Sequence, residues 1–86
     1  MLQLVKNDSP RGEHLTVEEF DDLEMVGEAI RAGARVTAEL RGSDELVRRA
    51  IDFMSGLIYA LDGTMDKVAE RVFLLAPPDQ AGRASA

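Results

Sequence analysis

The chain has 86 residues, 45% apolar but only 5% aromatic, and a formal net charge of -6. Sixteen acidic against ten basic side chains disfavour nucleic acid, whose phosphates demand clustered Lys and Arg, and unaided attachment to anionic lipid. The absence of cysteine removes disulfides, thiolate metal sites and thiol nucleophiles together, and points to a cytoplasmic setting.

A single domain of this size buries roughly 60% of its unfolded surface, so its core is marginal and self-association would add to it. No stretch approaches the ~20 apolar residues that span a bilayer. The N-terminus has neither a signal-peptide core nor a basic amphipathic pattern, so this chain is expected to make no direct membrane contact.

"LQLVK" at 2–6 alternates apolar and polar residues as a strand does, and "NDSPRGE" follows as a loop. "HLTVEEFDD" supports two readings. Leu15 and Val17 alternate like a strand, whereas Thr16 with Glu19 spells a capping box that would start a helix. From there Phe20, Leu23, Val26 and Ile30 fall at helical spacing, with acids in the first turn, Arg31 near the end and Gly33 as the stop. "RVTAEL" at 35–40 puts Val36, Ala38 and Leu40 on one face of a strand. Gly42 and Ser43 turn the chain. Ser43 is a good N-cap, Asp44 and Glu45 follow it, and a helix is predicted over 44–61, ending where Gly63 takes a left-handed conformation. "TMDKVAERVFLLA" reads as two strands joined tightly near 69–71. The tail "PPDQAGRASA" is expected to be mobile.

The order β-α-β-α-β-β predicts an α+β two-layer sandwich, with two helices on one face of a small mixed or antiparallel sheet. The chain divides into an N-terminal strand and loop at 1–19, a core domain at 20–76 and a tail at 77–86.

On the second helix, Leu46, Ala50, Phe53, Met54, Leu57 and Leu61 form the sheet-facing stripe, widened by Val47, Ile51 and Ile58. Its reverse side begins with Arg48, Arg49 and Asp52 but turns into Ser55, Gly56, Tyr59 and Ala60, none of them charged. A glycine inside a helix costs about 1 kcal/mol relative to alanine, so Gly56 asks for close approach by another backbone. Two occupants fit: the first helix of the same chain, or the same helix of a second copy across a two-fold axis.

In the terminal hairpin, Val68 is expected opposite Val72, and Lys67 opposite Phe73 on the other face. Val68, Val72 and Leu74 would then serve the core. Met65, Phe73 and Leu75 would form an apolar patch bordered by Lys67, suited to an apolar peptide carrying acidic groups.

"IDFMSGLIYALDG" followed by "DKVAERVFLLAPPD" resembles the core domain of the SepF family of bacterial cell-division proteins, and "FDDLEMVGEAIRAGARV" resembles the first helix and second strand of that family more loosely. About two-thirds of the chain is covered. The resemblance implies a non-enzymatic adaptor without cofactors, dimeric and capable of higher assembly, which binds the C-terminal peptide of FtsZ at the division septum. By that resemblance Lys67 and Phe73 grip the FtsZ peptide and Gly56 sits at a helix-to-helix contact; the uncharged back of the second helix adds Ser55, Tyr59 and Ala60 to the expected homodimer interface. Family members carry an N-terminal amphipathic membrane helix before this core, so the sequence reads as an excised core or a short SepF-like form.

Two further functions are compatible with the pattern. One is a small-molecule-sensing regulatory domain that binds metabolites between copies. The other is a paralogue that pairs with SepF without binding FtsZ. Catalysis has little to stand on. His14 is the only histidine and lacks a companion for a metal or nucleophilic relay; Glu18 with Glu19 and Asp21 with Asp22 sit where acids complement a helix dipole; the glycines lack phosphate-loop spacing.

Overall fold

A computed structural model describes residues 12–78. The elements are β1 (Gly12–Val17), a 3-10 turn (Phe20–Asp22), α1 (Leu23–Arg31), β2 (Arg35–Leu40), α2 (Asp44–Leu61), β3 (Thr64–Ala69) and β4 (Val72–Ala76). The α+β class and the β-α-β-α-β-β order agree with the sequence reading. Of the two readings of "HLTVEEFDD", the strand is the one formed up to Val17. The strand expected at 2–6 and all but the first two residues of the tail lie outside the described residues.

The sheet runs β1-β2-β4-β3, with β1 parallel to β2 and the other two pairs antiparallel. It follows that β3 is parallel to β2. Both parallel connections, β1-α1-β2 and β2-α2-β3, step in the same direction across the sheet, and the right-handed crossover rule then puts both helices on one face. Beneath them lie Val17, Val36, Ala38, Leu40, Phe73 and Leu75, which meet Leu23, Val26 and Ile30 of α1 and Ala50, Met54 and Ile58 of α2 in one buried cluster.

The acids before α1 have a local task. The Asp22 carboxylate accepts hydrogen bonds from the backbone N–H of Glu18 (2.8 Å) and Glu19 (3.0 Å), satisfying donors at the chain's entry into the helix. Thr16 takes no part, because it lies within β1. Gly33 ends α1 with φ 98, as expected of a glycine stop.

At the start of α2, Ser43 Oγ accepts from the Leu46 N–H at 3.0 Å, the expected cap. Its end corrects the sequence reading. Asp62, not Gly63, holds the left-handed conformation, with φ 61 and ψ 33. Asp62 N–H bonds to Tyr59 O and Gly63 N–H to Ile58 O, the paired closure of a Schellman motif. Gly63 is required for another reason: a Cβ there would overlap the backbone oxygen of Ala76.

The sheet-facing stripe is narrower than expected. Ala50, Met54 and Ile58, spaced four apart, are buried, whereas Phe53 is 39% exposed. It leaves the core for the rim, where its ring meets Phe20 edge-on at 6.3 Å and the Arg49 guanidinium sits 4.6 Å above the Phe20 ring.

The turn joining β3 and β4 is bolted to the β2–α2 connection at the same end of the sheet. Arg71, at φ 61, donates to Gly42 O at 2.9 Å and to Asp44 Oδ1 at 2.6 Å, while its own carbonyl accepts from Leu40 N–H at 2.8 Å.

On the face away from the helices, His14 Nε2 lies 3.2 Å from Glu39 Oε1, and Arg41 Nη2 donates to Glu39 Oε2 at 3.1 Å. The hydrogen bond with His14, then those with Arg41 and its positive charge, hold the Glu39 carboxyl below its ordinary value of 4.5. A carboxyl depressed by folding adds stability that is complete above its unfolded pKa and fades as pH falls through the folded one. Glu39→Gln is therefore expected to lower stability slightly at neutral pH and leave it little changed at low pH, so that the acid limb of the stability-against-pH curve flattens, read by urea melts from about pH 7 down to pH 2.

Candidate functional site

Where the last half of α2 passes over β3, the two elements enclose an open cleft of about 470 Å³. The helix lends Ser55, Ile58 and Tyr59, the strand side Gly63, Met65 and Lys67, and β4 contributes Phe73. Four of the six residues singled out from the sequence, Lys67, Phe73, Ser55 and Tyr59, thus meet in one place. Gly56 and Ala60 do not line the cleft; they lie exposed on the back of α2 beside it.

The cleft depends on the hairpin register. Lys67 pairs with Phe73 as anticipated, but Ala69, not Val68, lies opposite Val72, because a bulge between Lys67 and Ala69 leaves Val68 without a partner on β4. The expected faces are also inverted. Phe73 is 7% exposed and Leu75 fully buried beneath the helices, whereas Val68 is 55% exposed and Val72 and Leu74 lie half-buried on the open face. The cause is the β2–β4 register. Val36 stands opposite Leu75 and Ala38 opposite Phe73, and directly opposed residues share a face. Once Val36 and Ala38 face the core, Phe73 and Leu75 must do so too. The signal missing from the sequence reading was the pairing of β4 with β2 as well as with β3.

The inversion changes what the Lys67–Phe73 pair can do. Phe73 becomes part of the apolar floor of the cleft, and Lys67, being opposite it, points to the same helix-bearing side and stands at the rim. Lys67 Nζ lies 3.7 Å from Glu70 Oε1, but both side chains are more than half exposed, and such a pair contributes little. The ammonium is therefore free to exchange that partner for another carboxylate. Ser55 Oγ donates to Met65 Sδ at 3.7 Å, tying helix to strand across the cleft. The arrangement offers apolar walls, one rim cation and the hydroxyls of Ser55 and Tyr59, a surface for recognition.

The back of α2 is uncovered. Tyr59 is 86% exposed, and a Cβ added at Gly56 would meet nothing within 4 Å. The first helix of the same chain does not fill that groove, which removes one of the two occupants the sequence allowed. Among the described residues, no three His, Asp or Glu side chains gather in a way that could hold a metal ion. No helix among them is long and apolar enough to cross a membrane.

The family model for the cell division protein SepF matches residues 14–80. The chain belongs to the SepF family. Curated SepF proteins agree: that of Mycolicibacterium vanbaalenii is 37% identical over 82 residues, 92% of this chain and 39% of its own length. The SepF of Bifidobacterium adolescentis is 44% identical over 59 residues, 67% of this chain and 37% of its own. The chain thus spans about two-fifths of the length of these relatives. Among solved structures, a SepF-like protein from Pyrococcus furiosus superposes with a TM-score of 0.69 at 19% identity, over 78% of this chain and 86% of that one. At that identity the likeness speaks for the fold, the same two helices on a four-stranded mixed sheet. The family is that of a cell division protein.

Proposed function

We propose that this SepF-family chain is a non-enzymatic adaptor of cell division, working in the cytoplasm at the septum, which pairs with a second copy and holds the C-terminal peptide of FtsZ. What carries the reading is the cleft between α2 and β3–β4, where the rim ammonium of Lys67 stands over an apolar floor of Phe73, Ile58 and Met65. An extended peptide with apolar side chains and carboxylates complements both features. Small single-module interfaces of this kind bind in the micromolar range or above. A labelled FtsZ tail peptide titrated with the domain is expected to saturate there, and Lys67→Glu to weaken it about tenfold through charge reversal. Absence of binding at millimolar protein would overturn the reading.

Pairing rests on the uncharged back of α2, where Ser55, Gly56, Tyr59 and Ala60 stand exposed. A chain with a marginal core gains from burying such a surface against itself in a self-complementary interface. Sedimentation equilibrium is expected to give a dimer for the unmodified chain and a folded monomer for Gly56→Lys, since nothing within the chain occupies the space beside Gly56. A monomer for the unmodified chain at high concentration would remove pairing from the proposal and leave peptide binding to be judged by itself.

A further inference from the structure

The sheet has two edge strands among the described residues, β1 and β3. Each borders a groove, and the grooves differ in charge. Beside β1 the groove is lined by Glu13, Leu15, Met25, Glu28 and Ala29, with two carboxylates and no cation. Beside β3 the rim charge is Lys67. A carboxylate is repelled from the first and meets a cation in the second.

An edge strand is hydrogen-bonded on one side only, so alternate N–H and C=O groups of β3 face away from β4. Natural sheets blunt such edges with bulges and charges. Here the bulge lies between Lys67 and Ala69, next to the turn. It leaves residues 64–67 regularly paired to β4, from Thr64 opposite Ala76 to Lys67 opposite Phe73. Within that run Met65 and Lys67, two residues apart, point into the cleft, and Thr64 and Asp66 point to the open face.

We infer that the peptide of the proposed function binds by strand addition, lying extended along Thr64 to Lys67 as a fifth strand; the inference rests on that reading of the cleft. Directly opposed residues on neighbouring strands share a face, and side chains repeat every second residue. The bound segment therefore presents an apolar residue opposite Met65 and, two positions away, an acidic residue opposite Lys67. The residue between them faces the open side opposite Asp66, where a further acidic side chain is disfavoured. Specificity lies in that apolar-x-acidic spacing, and its main chain supplies the sequence-independent part of the affinity.

The test uses the FtsZ tail peptide and a series carrying a single backbone N-methyl group at each position, followed by fluorescence anisotropy, together with amide exchange of the domain with and without peptide. Strand addition gives an alternating pattern: each methyl group that removes a donated hydrogen bond weakens binding about tenfold, while those between are tolerated. The outward-facing amides among residues 64–67 gain protection to match. Binding of the unmodified peptide with neither alternation nor new protection in β3 overturns strand addition and leaves the peptide-binding reading standing. Failure of the unmodified peptide to bind removes both. Protection of β3 that rises with protein concentration alone assigns the edge to a second copy and likewise overturns the inference.

Discussion

Phe73→Ala is expected to lower the unfolding free energy by about 3–4 kcal/mol, the range of buried aromatic truncations. Phe73 is 7% exposed and sits in the cluster that joins α2 to the sheet, opposite Ala38 on one side and Lys67 on the other. Neither opposed residue can collapse into the space the ring leaves, one being a small side chain and the other a rim cation. Domains of this length hold only about 0.05–0.15 kcal/mol per residue in reserve, so the loss takes a large share of the total and lowers the melting temperature by roughly 15–25 °C. Phe73→Leu keeps most of the volume and should cost less than about 1.5 kcal/mol. Thermal and urea melts of the two variants check the pair. A stable, fully folded Phe73→Ala protein would mean that the ring is not part of the core. Because the change is expected to damage the fold, lost peptide affinity in Phe73→Ala says nothing about contact with peptide, and Lys67→Glu carries that test.

The second large effect concerns two neighbouring residues whose roles are exchanged relative to the sequence reading. Gly63→Ala is expected to destabilise by about 1–3 kcal/mol, the usual range for forced overpacking, because the new methyl group meets the backbone oxygen of Ala76 as well as the Ile58 side chain. A backbone carbonyl at a strand end cannot rotate away as a side chain can, so β4 itself must move. Asp62→Gly, by contrast, removes a left-handed non-glycine residue. The relief of its conformational strain and the added freedom of the unfolded chain nearly cancel, leaving a change within about 1 kcal/mol. Were the left-handed residue Gly63, the Asp62 substitution would be an ordinary loss at a helix end and the Gly63 substitution a pure backbone penalty. Chemical denaturation of both variants separates the two accounts by the size of the difference. The Gly63 change should also disturb the cleft, since Gly63 lines it beside Met65 and Lys67.

Much of this architecture can be read directly from local patterns. The helix at 44–61 is fixed by a cap, a first turn of acids and an apolar stripe that all lie within a few residues of one another, and Ser43 makes the hydrogen bond its identity foretells. The strand at 35–40 shows its buried face by simple alternation. The family resemblance at 50–79 likewise rests on contiguous residues, and the match over 14–80 bears it out. Lys67 and Phe73 were legible as a cross-strand pair because a tight hairpin fixes their register.

What the residues alone left open were choices between faces and between partners. "VFLLA" is apolar at every position, so alternation carries no information about which side is buried; only the pairing of β4 with β2, across more than thirty residues of chain, turns Phe73 and Leu75 inward. The same contact carries Lys67 to the helix side and so creates the cleft. Phe53 fits a helical stripe by spacing, yet its exposure depends on where the sheet ends beneath α2. The need for glycine at 63 arises from the approach of Ala76, a residue from another strand. Local identity determined which elements form, since capping, periodicity and turn chemistry act over a few residues. Tertiary contact decided which face each element buries, because that choice is made by whichever strand or helix arrives from elsewhere in the chain.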